Sequence, residues 1–131
     1  MAGPNEGNRP LSPHATIYRW PLNAVMSILH RMTGVGMALG AILVVWWFLA
    51  LSISPGQFRL ADGLMTSLPG DFVMVCLLAA LWYHFCNGIR HLIWDTGAGL
   101  DEGSVRRSAL AGWFGTALLT AGSLALISNG I

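Results

Sequence analysis

An all-α integral membrane fold of three spanning helices is predicted by three features of the sequence. Hydrophobic residues make up 54% of its 131 positions and charged residues only 10%, where a soluble domain carries about 25% charge. Three stretches, 32–58, 72–89 and 108–131, contain no formal charge, and each reaches the roughly 18 to 20 residues that cross a hydrocarbon core as a helix. Turn-forming residues, Ser54-Pro55-Gly56 and then Gly97 with Gly99, punctuate the intervals between them.

The segment 1–20 is read as a cytoplasmic N-terminal portion, followed by one membrane domain over 21–131. Residues 1–13 carry Glu6 and Arg9 among several Gly, Pro and Asn. They show neither the apolar stretch of a signal peptide nor the Arg-rich amphipathic pattern of a transit peptide, which favours a bacterial protein. The first helix is expected over about 21–52, since Trp20 is an interfacial aromatic and Pro21 suits a first helical turn. The second is expected over about 69–94 and the third over about 109–128. With three spans, the N-terminus and the second connection share a side. That side collects Arg9, Arg19, Arg106 and Arg107 against Arg59 on the other, so the positive-inside rule places the N-terminus in the cytoplasm of a bacterial inner membrane.

The net charge is +1, with seven Arg and no Lys. No basic patch is large enough for nucleic acid; lipid is the partner of the outward faces. Cys76 and Cys86 lie about 15 Å apart on a helix axis, beyond disulfide reach, and read as packing residues. Gly36 with Gly40, and more loosely Ala111 with Gly115, form small-residue pairs that let helices approach closely, including helices of other chains.

Chemistry concentrates in the second helix, in His84-Phe-Cys-Asn-Gly88-Ile-Arg90-His91-Leu-Ile-Trp94-Asp95. His84 falls near mid-membrane. An imidazole there is a hydrogen-bonded packing residue, a proton-relay group or a metal ligand. Gly88, one turn on and on the same face, leaves room for a flat macrocycle, and His91 continues that face about 10 Å nearer the cytoplasm. A haem set edge-on to the membrane would have its iron at His84 and its propionates toward His91, Arg90, His30 and Arg31; the plain alternative for the arginines is interfacial snorkelling. In the first helix Ser27, His30, Arg31 and Gly34 share one face. A hydroxyl, an imidazole and a guanidinium at this depth suit a quinone head group, which needs donors and a route for protons; the plain alternative is a polar face at the membrane surface.

Two stretches carry a family resemblance. Arg9-Pro10-Leu11-Ser12-Pro13-His14, followed by Ser27-Ile-Leu-His30-Arg31-Met-Thr33-Gly34, resembles the N-terminal signature of the cytochrome b (b556) membrane-anchor subunit of succinate dehydrogenase. The segment from His84 to Gly97 resembles the second signature of that family. The spacing matches at both, the third helix matches only in character, and Ala15 departs where a larger aliphatic residue is expected.

The resemblance implies a three-helix bundle that completes a larger bundle with a second small anchor subunit and holds a flavoprotein and an iron-sulfur subunit at the cytoplasmic face. It implies succinate:quinone oxidoreductase activity of the assembled respiratory complex II, linking the tricarboxylic acid cycle to electron transport. Electrons would pass from succinate to ubiquinone, or to menaquinone, with the flavin and succinate site on another subunit. Carried over residue by residue, His84 matches the axial ligand of haem b, His30, Arg31 and His91 match the propionate region, and Ser27 and Arg31 match the quinone pocket. The partner anchor would supply the other axial ligand, because no other His of this chain is expected at the depth of His84. Two alternatives stand beside this reading: a haem-free anchor of the same complex, and a small transporter or proton channel with His84 as relay. The second would need a polar file across the membrane, and the outer half of the second helix offers only Cys76.

Overall fold

The apolar runs fold as helices: α1 (Leu22–Ile53), α2 (Pro55–Met65), α3 (Leu68–Asp95) and α4 (Glu102–Ser128). They are seen in a computed structural model that describes residues 14–130, and the described residues contain no strand. The stretch from Arg9 to Pro13 lies outside the described residues. α1, α3 and α4 are each long and apolar enough to span a bilayer, so the chain is a multi-pass membrane protein.

Two elements differ from the spacing-based expectation. The interval between the first two spans, read as a connection from its Ser-Pro-Gly turn, holds the helix α2. Ser54 closes α1 through its N–H to Ala50 O and also caps α2, its side chain accepting from Gln57 N at 3.3 Å with Pro55 in the first turn. Trp47 of α1 donates to Asp62 Oδ1 at 3.2 Å and packs edge-on against Phe58, which ties α2 back to the first span. The third long helix begins at Glu102 rather than near 109, because Asp101 caps it by accepting from Ser104 N at 2.8 Å. Hydrogen bonding by Ser104 holds the Asp101 carboxyl below its usual range. Arg106 and Arg107 bound the apolar stretch but do not interrupt helical hydrogen bonding, so charge spacing marks the lipid-facing length and misses the interfacial turns.

The helices bury little of one another. Only 11% of the most apolar window of α1, 11% of that of α3 and 6% of that of α4 is buried, and the buried apolar cluster consists of Met26, Tyr83 and Ala109 with Leu29 beside it. Lipid tails are as apolar as Leu, so association inside a bilayer rests on close contact and interhelical hydrogen bonds. Both occur here. A Cβ at Gly40 would lie 2.8 Å from Leu77 Cδ2, one at Gly115 would lie 3.2 Å from Cys86 Sγ, and Gly36 faces open space. Trp82 Nε1 donates to Ser123 Oγ at 3.0 Å, and the Tyr83 hydroxyl donates to Met26 O at 3.0 Å.

Gly40→Ala is therefore expected to lower the thermal stability of the detergent-solubilised protein by about 1–3 kcal/mol, the usual cost of overpacking. Adding Leu77→Ala should recover part of that loss, and a double variant no more stable than the sum of the two singles would argue against the contact.

Candidate functional site

The site is built where α1 and α3 cross. His84 lies about 24 Å from the start of α3 and about 16 Å from its end, so its imidazole sits well inside the span. Its Nδ1 is 3.1 Å from His30 O and 3.3 Å from Thr33 Oγ1. The Thr33 hydroxyl lies 2.9 Å from both Leu29 O and His30 O, and so points its proton back into its own helix. A carbonyl can only accept, and a hydroxyl so engaged has lone pairs to offer. Both partners therefore call for the proton on Nδ1, which leaves the lone pair on Nε2.

Gly34 makes this approach possible. A Cβ there would stand 3.1 Å from His84 Cε1, so the absent side chain lets the ring lie against α1. On the same face of α3, one turn beyond His84, a Cβ at Gly88 would meet nothing within 4 Å.

His30 does not stand apart at an interfacial level. Its ring stacks on His84, with centroids 3.9 Å apart and planes at 13°, and it also meets His91 at 5.1 Å. The three imidazoles form one column, with Trp94 edge-on to His91 at 5.3 Å. Stacked face to face, His30 and His84 are not placed to hold one metal ion between them. His30 Nδ1 is buried with no hydrogen-bond partner among the described residues. Such an atom is costly to leave unmatched, and the chain itself covers it.

Ser27 is half-buried and Arg31 exposed on the flank of α1 beside this column. Neither side chain has a hydrogen-bond partner among the described residues, and both stand free to receive one. Among the described residues no three His, Cys, Asp or Glu side chains converge on a point. At the helix crossing, His84 Nε2 is the ring nitrogen whose lone pair the Nδ1 contacts leave free.

Arg90 departs from the expected row of interfacial cations. Only 4% exposed, it turns away from the imidazole column into the seam between α1, α3 and α4. Its Nε donates to Ser108 Oγ at 3.0 Å, Nη1 to Asn87 Oδ1 at 3.2 Å and Met26 Sδ at 3.5 Å, and Nη2 to Asn23 Oδ1 at 2.7 Å and Val105 O at 3.3 Å. Trp94 covers its face, with the guanidinium carbon 4.1 Å from the ring centroid. Sequence reasoning missed this network. Its signal was present as Tyr83, Asn87 and Arg90, which recur at i, i+4 and i+7 and are all buried.

Residues 5–124 match the family described as "Succinate dehydrogenase/Fumarate reductase transmembrane subunit". The chain belongs to this family. It is 43% identical over 126 residues to the succinate dehydrogenase cytochrome b556 subunit of Paracoccus denitrificans, covering 96% of this chain and 92% of that protein. It is 39% identical over 108 residues to the cytochrome b556 subunit of Rickettsia bellii, covering 80% of this chain and 79% of that protein. With the mitochondrial cytochrome b560 subunit of Sus scrofa it shares 40% identity over 124 residues, 91% of this chain and 72% of that one. As a transmembrane subunit of this family, the chain carries its imidazole column and its buried arginine on different faces of α3, with Trp94 against both.

Proposed function

We propose that this chain is the cytochrome b anchor subunit of a succinate dehydrogenase, that it binds haem b through His84, and that Ser27 and Arg31 form part of its quinone-reducing site. The observation that carries the haem assignment is the bond from His84 Nδ1 to His30 O at 3.1 Å. A metal-binding histidine commonly donates its other ring N–H to a carbonyl, which sets the tautomer and raises the basicity of the ligating nitrogen. The open space beside Gly88 fits a flat macrocycle, and the exposed Arg31 guanidinium fits its anionic substituents. The named cytochrome b relatives support the same reading.

In this proposal His84 Nε2 would be this chain's ligand to the haem iron, and a second small anchor subunit would supply the other. His30, His91 and Arg31 serve the propionates. Bound there, haem b supplies a one-electron carrier within the membrane. Ser27 Oγ and the Arg31 guanidinium orient the quinone head group by donating to a carbonyl oxygen. Electrons arrive from an iron-sulfur subunit fed by a flavoprotein, both on the cytoplasmic face of a bacterial inner membrane. The N-terminus lies on that same side, which lets the reduced quinone draw protons from the cytoplasm.

The quinone assignment is tested in the assembled complex. Ser27→Ala and Arg31→Ala should each lower succinate:ubiquinone reductase activity by about tenfold or more, since loss of a charged or buried donor costs about 1.5–3 kcal/mol. Succinate oxidation by an artificial acceptor that takes electrons before the membrane should stay unchanged. Unimpaired quinone reduction in both variants would count against the assignment.

A further inference from the structure

Arg90 is a buried cation that no acid among the described residues pairs with. A guanidinium has five N–H donors, and here they meet five acceptors: two carboxamide oxygens, a hydroxyl, a thioether and a backbone carbonyl. None is a carboxylate. The acids nearest in sequence, Asp95, Asp101 and Glu102, are exposed, where water screens them. The charge is thus held by dipoles alone, in a seam closed by Met26, Tyr83, Ala109 and the Trp94 ring. Replacing a buried ion by apolar residues is often neutral or stabilising, so packing is a weak reason to keep a full charge there.

The charge also has a neighbour to act on. Arg90 follows His84 by six residues, about 9 Å along one rigid helix. At that range, with an effective dielectric of about 20, a unit charge biases a one-electron equilibrium by on the order of tenfold.

We infer that Arg90 is a positioning residue whose uncompensated charge raises the reduction potential of the haem held at His84, favouring the reduced iron over the oxidised. This inference rests on the haem assignment proposed above. It assigns the sign to a residue that does not touch the cofactor, and it separates the two polar systems of α3: the column that holds the group and the cation that tunes it.

The test is a redox titration of the haem, followed by its reduced-minus-oxidised spectrum, in the complex purified with all its subunits. Arg90→Met should lower the midpoint potential by about 59 mV or more, a tenfold change for a one-electron couple, while Arg90→Lys should keep it within a third of that. Because Arg90→Met also removes the links to Asn23 and Ser108, Asn23→Asp is the second variant. It keeps the accepting oxygen now 2.7 Å from Nη2, adds no volume, and places a counter-charge against the guanidinium at an exposed position.

Asn23→Asp should lower the potential in the same direction as Arg90→Met with unchanged haem content. A potential that stays at the wild-type value in Asn23→Asp, or that falls as far in Arg90→Lys as in Arg90→Met, overturns the inference. Failure of the underlying assignment would look different: no haem spectrum in the wild-type complex, or a spectrum unaffected by loss of His84.

Discussion

In the complex purified with its partner subunits, His84→Ala is expected to reduce haem absorbance by about tenfold or more, because the proposed iron ligand would be lost with no side chain to replace it. Among the described residues, His30 is the imidazole stacked directly on His84. Its ring stacks face to face on the missing one at 3.9 Å, so its nitrogens lie beside the vacated position without pointing where Nε2 pointed. Truncation leaves a space the size of an imidazole against Gly34 and Thr33, and free imidazole should restore part of the absorbance. That partial rescue separates a lost ligand from a collapsed helix crossing. Subunit stoichiometry should remain that of the wild type, since the three-helix seam is held by Tyr83, Arg90 and Trp82 on other faces of α3. Full haem absorbance in His84→Ala would end the ligand assignment.

The span-forming parts of the fold were legible because in a bilayer composition and length decide almost everything: a continuous apolar run of roughly 18 or more residues is the length a spanning helix needs, about twice that of a barrel strand. Interfacial helix was harder to read. α2 is short and mixed in polarity, and Arg106 and Arg107 interrupt an apolar count without interrupting a helix, so neither gives a hydropathy signal. Within the site, periodicity placed His84, Gly88 and His91 on one face, as the structure has them. It could not place His30 against His84, because that depends on how far α1 slides along α3. The slide is set by Gly34 against the His84 ring and Gly40 against Leu77, contacts between residues far apart in the sequence. Arg90 shows the same limit from the other direction. Its depth suggested a cation at the membrane surface, but its azimuth, one hundred degrees per residue away from His91, turns it into the seam with Asn23 and Ser108. Depth is one coordinate of a helical residue and face is the other; for a charged residue near a helix end the second decides between an interfacial role and a buried one.

Gly88 supplies the sharpest test of whether the free face of α3 is a cradle for a ring or merely an unfilled surface. A Cβ at this position meets no atom of the chain within 4 Å, so Gly88→Ala and Gly88→Leu are both sterically admissible here, and both raise helix propensity, by up to about 1 kcal/mol relative to glycine. Neither should destabilise α3. The two differ in reach: the alanine methyl stays close to the helix surface, whereas a leucine side chain extends toward the turn that carries His84. Gly88→Ala should keep haem content within about twofold of the wild type, and Gly88→Leu should reduce it by about tenfold or more, since a group inserted into a filled site costs roughly 1–3 kcal/mol. His84 is untouched in both, so the loss would come from occupied space and not from a missing ligand. If the open face instead seats a helix of the partner anchor, Gly88→Leu should deplete that subunit from the purified complex in proportion to the haem. Retained subunits with lost haem mark the cradle; retained subunits with full haem would show that the space beside Gly88 holds no ring.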